Sequence, residues 1–183
     1  MKPGSPITRA ETAAVLFRLS VDEGKEYTDY SDIGETFPDV SSGKWYAVYV
    51  AYFSQFGIIE GYENGLFYPQ PAAGSKRGNI TRAEFIKLLC AFEEPTAVPQ
   101  GYTLPYTDMQ GTEKHWAYDH IVQAQLKGWI DGYEDGSFRP NGDITRAEAA
   151  KVINRILNRR ILKKNLPEGI RSYEDLSPSY WAY

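Results

Sequence analysis

Ile144-Thr145-Arg146-Ala147-Glu148 decides the fold, because the same five residues stand at Ile7-Thr8-Arg9-Ala10-Glu11 and again at Ile80-Thr81-Arg82-Ala83-Glu84. Three identical pentamers mark an internal repeat. Each is also a helix start. A Thr at the N-cap accepts from the amide three residues on, and the Glu there reaches back to the Thr amide, so two orphan donors of the first turn are satisfied. Apolar residues follow at helical spacing: Ala10, Ala13, Ala14 and Phe17; Phe85, Leu88, Leu89 and Phe92; Ala149, Val152, Ile153 and Ile156. Three short helices, each with one apolar stripe, are predicted. None can bury its stripe alone, so packing on one another as a bundle of approximate threefold symmetry is expected.

Working upstream, a second pair of matched segments precedes the pentamers. Gly57-Ile58-Ile59-Glu60-Gly61-Tyr62-Glu63-Asn64-Gly65-Leu66-Phe67-Tyr68-Pro69 parallels Gly128-Trp129-Ile130-Asp131-Gly132-Tyr133-Glu134-Asp135-Gly136-Ser137-Phe138-Arg139-Pro140. Gly57 and Gly128 occupy the left-handed position that ends a helix. Asn64-Gly65 and Asp135-Gly136 signal tight, hairpin-like turns between short extended pieces. Further upstream, Phe37-Pro38-Asp39-Val40, Tyr106-Thr107-Asp108-Met109 and Tyr173-Glu174-Asp175-Leu176 lead to Trp45, Trp116 and Trp181. A front helix follows each Trp, with Trp45, Val48, Tyr52 and Phe53 on one face, and Trp116, His120, Ile121 and Ala124 on the other unit's.

The chain thus reads as tandem helix–turn–helix units, mainly α. Residues 1–19 are the last part of a first unit, 37–92 and 106–157 are complete units, and 173–183 begin a further one. Segments 20–36 (acidic), 93–105 and 158–172 (basic) are linkers. Residues 70–79 are an insertion, read as an extended surface loop, since ten residues separate Pro69 from Ile80 and three separate Pro140 from Ile144.

Composition bounds the function. The chain has 183 residues, 20 Lys plus Arg against 24 Asp plus Glu for a net charge of −4, and 42% hydrophobic residues, enough for an ordered core. No run approaches the roughly 18–20 apolar residues of a membrane span, and no signal peptide opens the chain. No dominant basic face exists for nucleic acid. With 14 Tyr, 8 Phe and 4 Trp, aromatics are abundant for either core or ligand stacking.

These motifs together resemble the S-layer homology repeat of bacterial cell-surface proteins, over about two-thirds of the chain. The resemblance rests on the aromatic-x-Asp-Val opening, His115-Trp116-Ala117, the run 128–141 and Ile-Thr-Arg-Ala-Glu. It implies a pseudo-threefold spindle around a central helix bundle. It also implies grooves between units that bind a secondary cell-wall polysaccharide attached to peptidoglycan, often pyruvylated, for noncovalent anchoring of a secreted protein at the wall or surface layer. Carried over by residue, the ligand-binding set is Arg9, Arg82 and Arg146; Trp45, Trp116 and Trp181; Gly61-Tyr62 and Gly132-Tyr133. A pyruvate carboxylate suits a guanidinium, with amide donors from the adjacent helix N-terminus, and sugar faces suit Trp and Tyr. Lys44 in place of His115, the 66–68 segment and the insertion suggest an altered groove in the first complete unit. The alternatives are a protein–protein assembly module that has lost sugar binding, self-assembling through a larger parent protein, and the targeting piece of a surface enzyme.

Several residues also admit plainer roles. Arg9, Arg82 and Arg146 could brace neighbouring helices instead of touching ligand, and Trp45 and Trp116 could anchor the core. The capping-box Glu residues need no catalytic role, and no nucleophile triad or phosphate loop is visible, so no catalytic residue and no cofactor are expected. Asp131-x-Tyr133-x-Asp135-Gly136 resembles half a calcium loop but lacks ligands at its third and twelfth positions, and His115 and His120 lack partners for zinc, so no metal is expected. Cys90, amid Leu88, Leu89 and Phe92, reads as a buried thiol. The run Arg159-Arg160-Ile161-Leu162-Lys163-Lys164 reads as a solvated helix end or linker.

Overall fold

The structure, a computed structural model, describes residues 2–20, 37–111 and 115–159. Within them the chain forms five α-helices and one 3-10 turn: α1 (Arg9–Ser20), α2 (Ala47–Gln55), α3 (Arg82–Cys90), the 3-10 turn Thr107–Met109, α4 (Tyr118–Leu126) and α5 (Arg146–Ile156). The fold is mainly α. The turns between front and capped helices make tight hydrogen bonds, Gly65 N–H to the Tyr62 carbonyl and Gly136 N–H to that of Tyr133. Among the described residues, extended pairing is limited to isolated bridges, so the hairpin-like pieces are single turns rather than ladders.

The three pentamers are capping boxes in fact. Thr81 Oγ1 accepts from the Glu84 amide while Glu84 accepts from the Thr81 amide, and Thr145 with Glu148 repeats this. Thr8 and Glu11 exchange the same two bonds.

What joins the units is a set of cyclic backbone bonds that the sequence did not disclose. Ile7 N–H donates to the Ile144 carbonyl, Ile144 N–H to that of Ile80, and Ile80 N–H to that of Ile7, closing a ring of three at 3.0–3.1 Å. Two further sets run around the ring in the opposite sense. The Arg9, Arg82 and Arg146 amides donate to Gly78, Gly142 and Ser5, and the Ala10, Ala83 and Ala147 amides to Pro69, Pro140 and Pro3. Each capped helix therefore has its first two amides satisfied by the chain entering another capped helix. Glycine is needed at one of these crossings: Gly78 has φ +108°, and a Cβ there would lie 2.2 Å from the Gln70 carbonyl carbon.

One contiguous core holds residues of all three capped helices and both front helices, including Ala13, Ile86, Ala149, Phe53 and Ile121. The most extensive helix pairings are α1 on α2 and α3 on α4. Phe17 of α1 meets Tyr49 and Tyr52 of α2 with ring centroids about 5 Å apart. A capped helix thus packs on the front helix of the unit that follows it.

The front helices differ from expectation at their starts. Both Trp residues precede the helix by two positions and point outward, Trp45 53% and Trp116 54% exposed. The residues turned inward are Tyr46, Ala47, Val50 and Phe53 in one unit, and Ala117, Ile121, Val122 and Ala124 in the other. The core-anchor reading of Trp45 and Trp116 is thereby overturned, because the turn ahead of each helix rotates the ring off the buried face. Phe92 likewise lies past the end of α3 and is exposed. Trp181, residues 21–36 of the 20–36 linker and the segment 160–183 lie outside the described residues.

Candidate functional site

Two grooves repeat one design. The turn between front and capped helix is fixed first. Gly57 and Gly128 (φ +65° and +71°) end α2 and α4, with Ile58 N–H reaching the Phe53 carbonyl and Trp129 N–H that of Ala124. The Asp of the aromatic-x-Asp opening then clamps the far arm. Asp39 accepts from the Phe67 and Tyr68 amides (2.9 and 2.7 Å), and Asp108 from those of Phe138 and Arg139 (both 2.7 Å). Tyr68 and Arg139 hold φ of +53° and +59°, a conformation that costs a side-chain-bearing residue about 1 kcal/mol. The charged acceptor compensates for it.

Gly61 and Gly132 make room for the aromatic residue of the same opening. A Cβ at Gly61 would lie 2.8 Å from the Phe37 ring, and one at Gly132 would lie 2.9 Å from the Tyr106 ring and from the Ser137 carbonyl oxygen. Their placement gives these glycines a steric reason to be there. The Tyr of each pair turns its ring to the groove.

Arg9 then enters from the first unit. Its Nε donates to the Phe67 carbonyl (2.9 Å), Nη2 to that of Glu60 (2.8 Å) and Nη1 to Glu84 Oε1 (3.2 Å). The guanidinium lies between the Tyr62 and Phe67 rings at 4.7 and 4.5 Å. Arg82 repeats this one unit later, bonding the Phe138 and Asp131 carbonyls and Glu148, between Tyr133 and Phe138. Arg146 pairs with Glu11, closing a second ring: Arg9 to Glu84, Arg82 to Glu148, Arg146 to Glu11. Arg9 and Arg82 are buried, while the Arg146 side chain is 36% exposed.

These contacts revise the expected chemistry in one respect. The amides of the capped helix N-termini are not available to a ligand. At α3 the Thr81, Arg82, Ala83 and Glu84 amides are all taken, by Glu84, Gly142, Pro140 and Thr81 respectively, and at α5 the same four positions are taken likewise. What faces each groove is the rim of the guanidinium, the Tyr ring and hydroxyl, and the helix side chains below.

In the first groove, of about 210 Å³, Arg9, Tyr62, Glu84 and Lys87 are joined by Trp116 from the turn ahead of the next unit's front helix. In the second, of about 700 Å³, Arg82, Tyr133, Glu148 and Lys151 are joined by Arg139 and Arg155. The Tyr62 and Tyr133 hydroxyls donate to Glu84 and Glu148 (2.9 and 2.6 Å). Burial pushes the Glu148 carboxyl up, but bonds from Tyr133 and Thr145 and the charge of Arg82 together hold it below the ordinary carboxylate value. Asp131 accepts from Arg155 and Lys151, whereas Asp135 accepts from Ser137 and Arg139, so the two carboxylates of the half calcium loop turn to different cations.

The resemblance gives the motif Arg and turn Tyr residues as one set without pairing them; the structure brings Arg9 to Tyr62 and Arg82 to Tyr133, each Arg meeting the Tyr of the following unit. Sequence reasoning missed Lys87 and Lys151, although the repeat carried the signal: both follow the pentamer Glu by three residues.

The sequence profile of the S-layer homology domain matches residues 36–72 and 105–150. A cellulosome-anchoring protein of Acetivibrio thermocellus is 34% identical over the whole of this chain and 38% of its own length. The chain belongs to the S-layer homology domain family. A surface layer protein of Brevibacillus choshinensis is 33% identical over 55% of this chain and 8% of its own. An amylopullulanase of Thermoanaerobacterium thermosulfurigenes is 31% identical over 86% of this chain and 8% of its own. The chain therefore spans well under half the length of these relatives. S-layer homology domains are modules of the bacterial cell surface, and this chain's grooves are formed where its repeats meet.

Proposed function

We propose that the chain anchors a protein noncovalently to the bacterial cell wall by holding a secondary wall polysaccharide in the grooves between repeats, acting by binding and not by catalysis. One observation carries this reading. The groove beside α3 joins an exposed indole (Trp116), an exposed phenol (Tyr62) and a guanidinium already oriented by three protein bonds (Arg9). Aromatic faces cover the apolar faces of sugars, and an oriented guanidinium edge receives a carboxylate at little entropic cost. The three rings of backbone bonds support an approximately threefold arrangement, in which Arg146 and Trp45 belong to a third groove. Names of relatives that anchor a cellulosome or form a surface layer agree with this role.

The test is Trp116→Ala, titrated calorimetrically with polysaccharide released from purified walls. Because Trp116 is exposed, the variant keeps the parent's melting temperature within about 1–2 °C, while affinity falls about tenfold or more. Unchanged affinity counts against this groove as a sugar site.

A further inference from the structure

Two grooves of one design differ at the far end of the helix that forms their floor. On α3 the groove residues are Glu84, Lys87 and Leu88, and the helix stops at Cys90 with Ala91 as its C-cap. On α5 the matching residues are Glu148, Lys151 and Val152, and the helix runs on to Ile156, adding Arg155 where α3 has Ala91. Steps of three and four residues keep Glu148, Lys151 and Arg155 on one helix face. Across the groove, Arg139 replaces Tyr68.

Arg155 is held in place from the wall side. Its Nη2 donates to Asp131 Oδ2 (2.6 Å) and its Nη1 to the Trp129 carbonyl (3.4 Å), while Lys151 Nζ stands 3.1 Å from the same Asp131 oxygen. In the other groove the counterpart Glu60 pairs with Lys87 (2.6 Å) and, among the described residues, with no second cation. The Arg155 hydrogen bond is the main reason Asp131 sits below the ordinary carboxylate value, with Lys151 adding to it against the cost of burial. Asp131 therefore remains charged and fixes the guanidinium. The Arg155 side chain is still 34% exposed. The longer helix thus brings a further oriented guanidinium into the larger groove, beside those of Arg82 and Arg139.

We propose that the α5 groove contains an anion subsite centred on Arg155, absent from the α3 groove, which takes a second carboxylate or phosphate of the bound polymer. This rests on the wall-anchoring reading. The two grooves would then differ in role, the α5 groove selecting for charge and the α3 groove for an aromatic-stacked sugar.

The test uses polysaccharide fragments released from purified walls in three forms: untreated, stripped of ketal-linked pyruvate by mild acid, and stripped of phosphate enzymatically. Calorimetric titration compares the parent chain with Arg155→Gln and Arg155→Lys. Arg155→Gln is expected to weaken binding of the untreated fragment about tenfold and to flatten its salt dependence. Arg155→Lys falls between, since it keeps the charge but loses the planar fork. The treatment that removes the relevant anion abolishes the difference between parent and Arg155→Gln, which identifies carboxylate or phosphate as its source. Equal affinity of parent and Arg155→Gln for the untreated fragment overturns the subsite while leaving anchoring intact, and so does a difference that survives both treatments. If the parent binds no fragment at all, the anchoring reading fails and the subsite with it.

Discussion

Replacing Arg82 with Ala should unfold the junction between the two complete repeats, and replacing Arg146 with Ala should not. The Arg82 side chain is 9% exposed, and its partner Glu148 is 15% exposed. Removing it leaves the carbonyl of the fully buried Phe138 without its donor, frees the Asp131 carbonyl, and strips two aromatic rings of the cation between them. Glu148 keeps bonds from Tyr133 and Thr145, which limits the damage on its side. Breaking a buried, hydrogen-bonded ion pair from one end costs about 3–5 kcal/mol. For a chain of this size that lowers the melting temperature by about 6–20 °C. Arg146 is 36% exposed and pairs with Glu11, a half-exposed contact worth about 0–1 kcal/mol. Urea unfolding at neutral pH, run on both variants, measures the difference directly. Equal losses for Arg82→Ala and Arg146→Ala would falsify the view that the motif Arg is an inter-repeat clasp where it is buried and a weaker, partly exposed contact at Arg146.

Other outcomes follow from the same geometry. Asp108→Asn keeps one acceptor oxygen for two adjacent amides, so it should cost about 1–3 kcal/mol by chemical denaturation; no loss contradicts the clamp on Arg139. Gly132→Ala drives a methyl toward the Tyr106 ring and the Ser137 carbonyl and should cost about 1–3 kcal/mol, with the buried Tyr106 fluorescence environment disturbed. The Cys90 thiol is pushed up to about 11 by burial, with Lys127 pulling down and Glu93 pushing up. At pH 8 it should react with iodoacetamide about a hundredfold more slowly than after unfolding, and equal rates refute its burial. Because the Glu148 carboxyl is depressed on folding, its stabilisation is fully present above the unfolded value of about 4.3 and is lost as pH falls through the folded value. Melting temperature should therefore fall steadily below about pH 4.5, less steeply in Glu148→Gln, and a flat profile from pH 5 to 3 contradicts this.

Local chemistry was legible in the sequence. A capping box needs two residues three apart, and a left-handed helix stop needs one Gly, so Thr81, Glu84, Gly57 and Gly128 could be read without a fold. The motifs named Arg9, Tyr62, Arg82 and Tyr133 as one set, but which Arg meets which Tyr was not legible, because the contacts join residues more than 50 positions apart in different units. Long-range closure was not legible. Nothing in Ile7, Ile80 or Ile144 announces a ring of backbone bonds, and the same rings use up the helix amides that had been expected to serve a ligand. Apolar periodicity misplaced Trp45 and Trp116, because a large aromatic residue satisfies the pattern whether it lies inside the helix or in the turn just ahead of it. The role of Asp39 and Asp108 was hidden for a similar reason: the amides they clamp lie about 30 residues downstream.

The account stands most directly on cosedimentation of the chain with purified wall sacculi, before and after chemical removal of the secondary polysaccharide. It predicts that the chain pellets with intact sacculi and remains in the supernatant once the polymer is gone. Pelleting that survives polymer removal would contradict it.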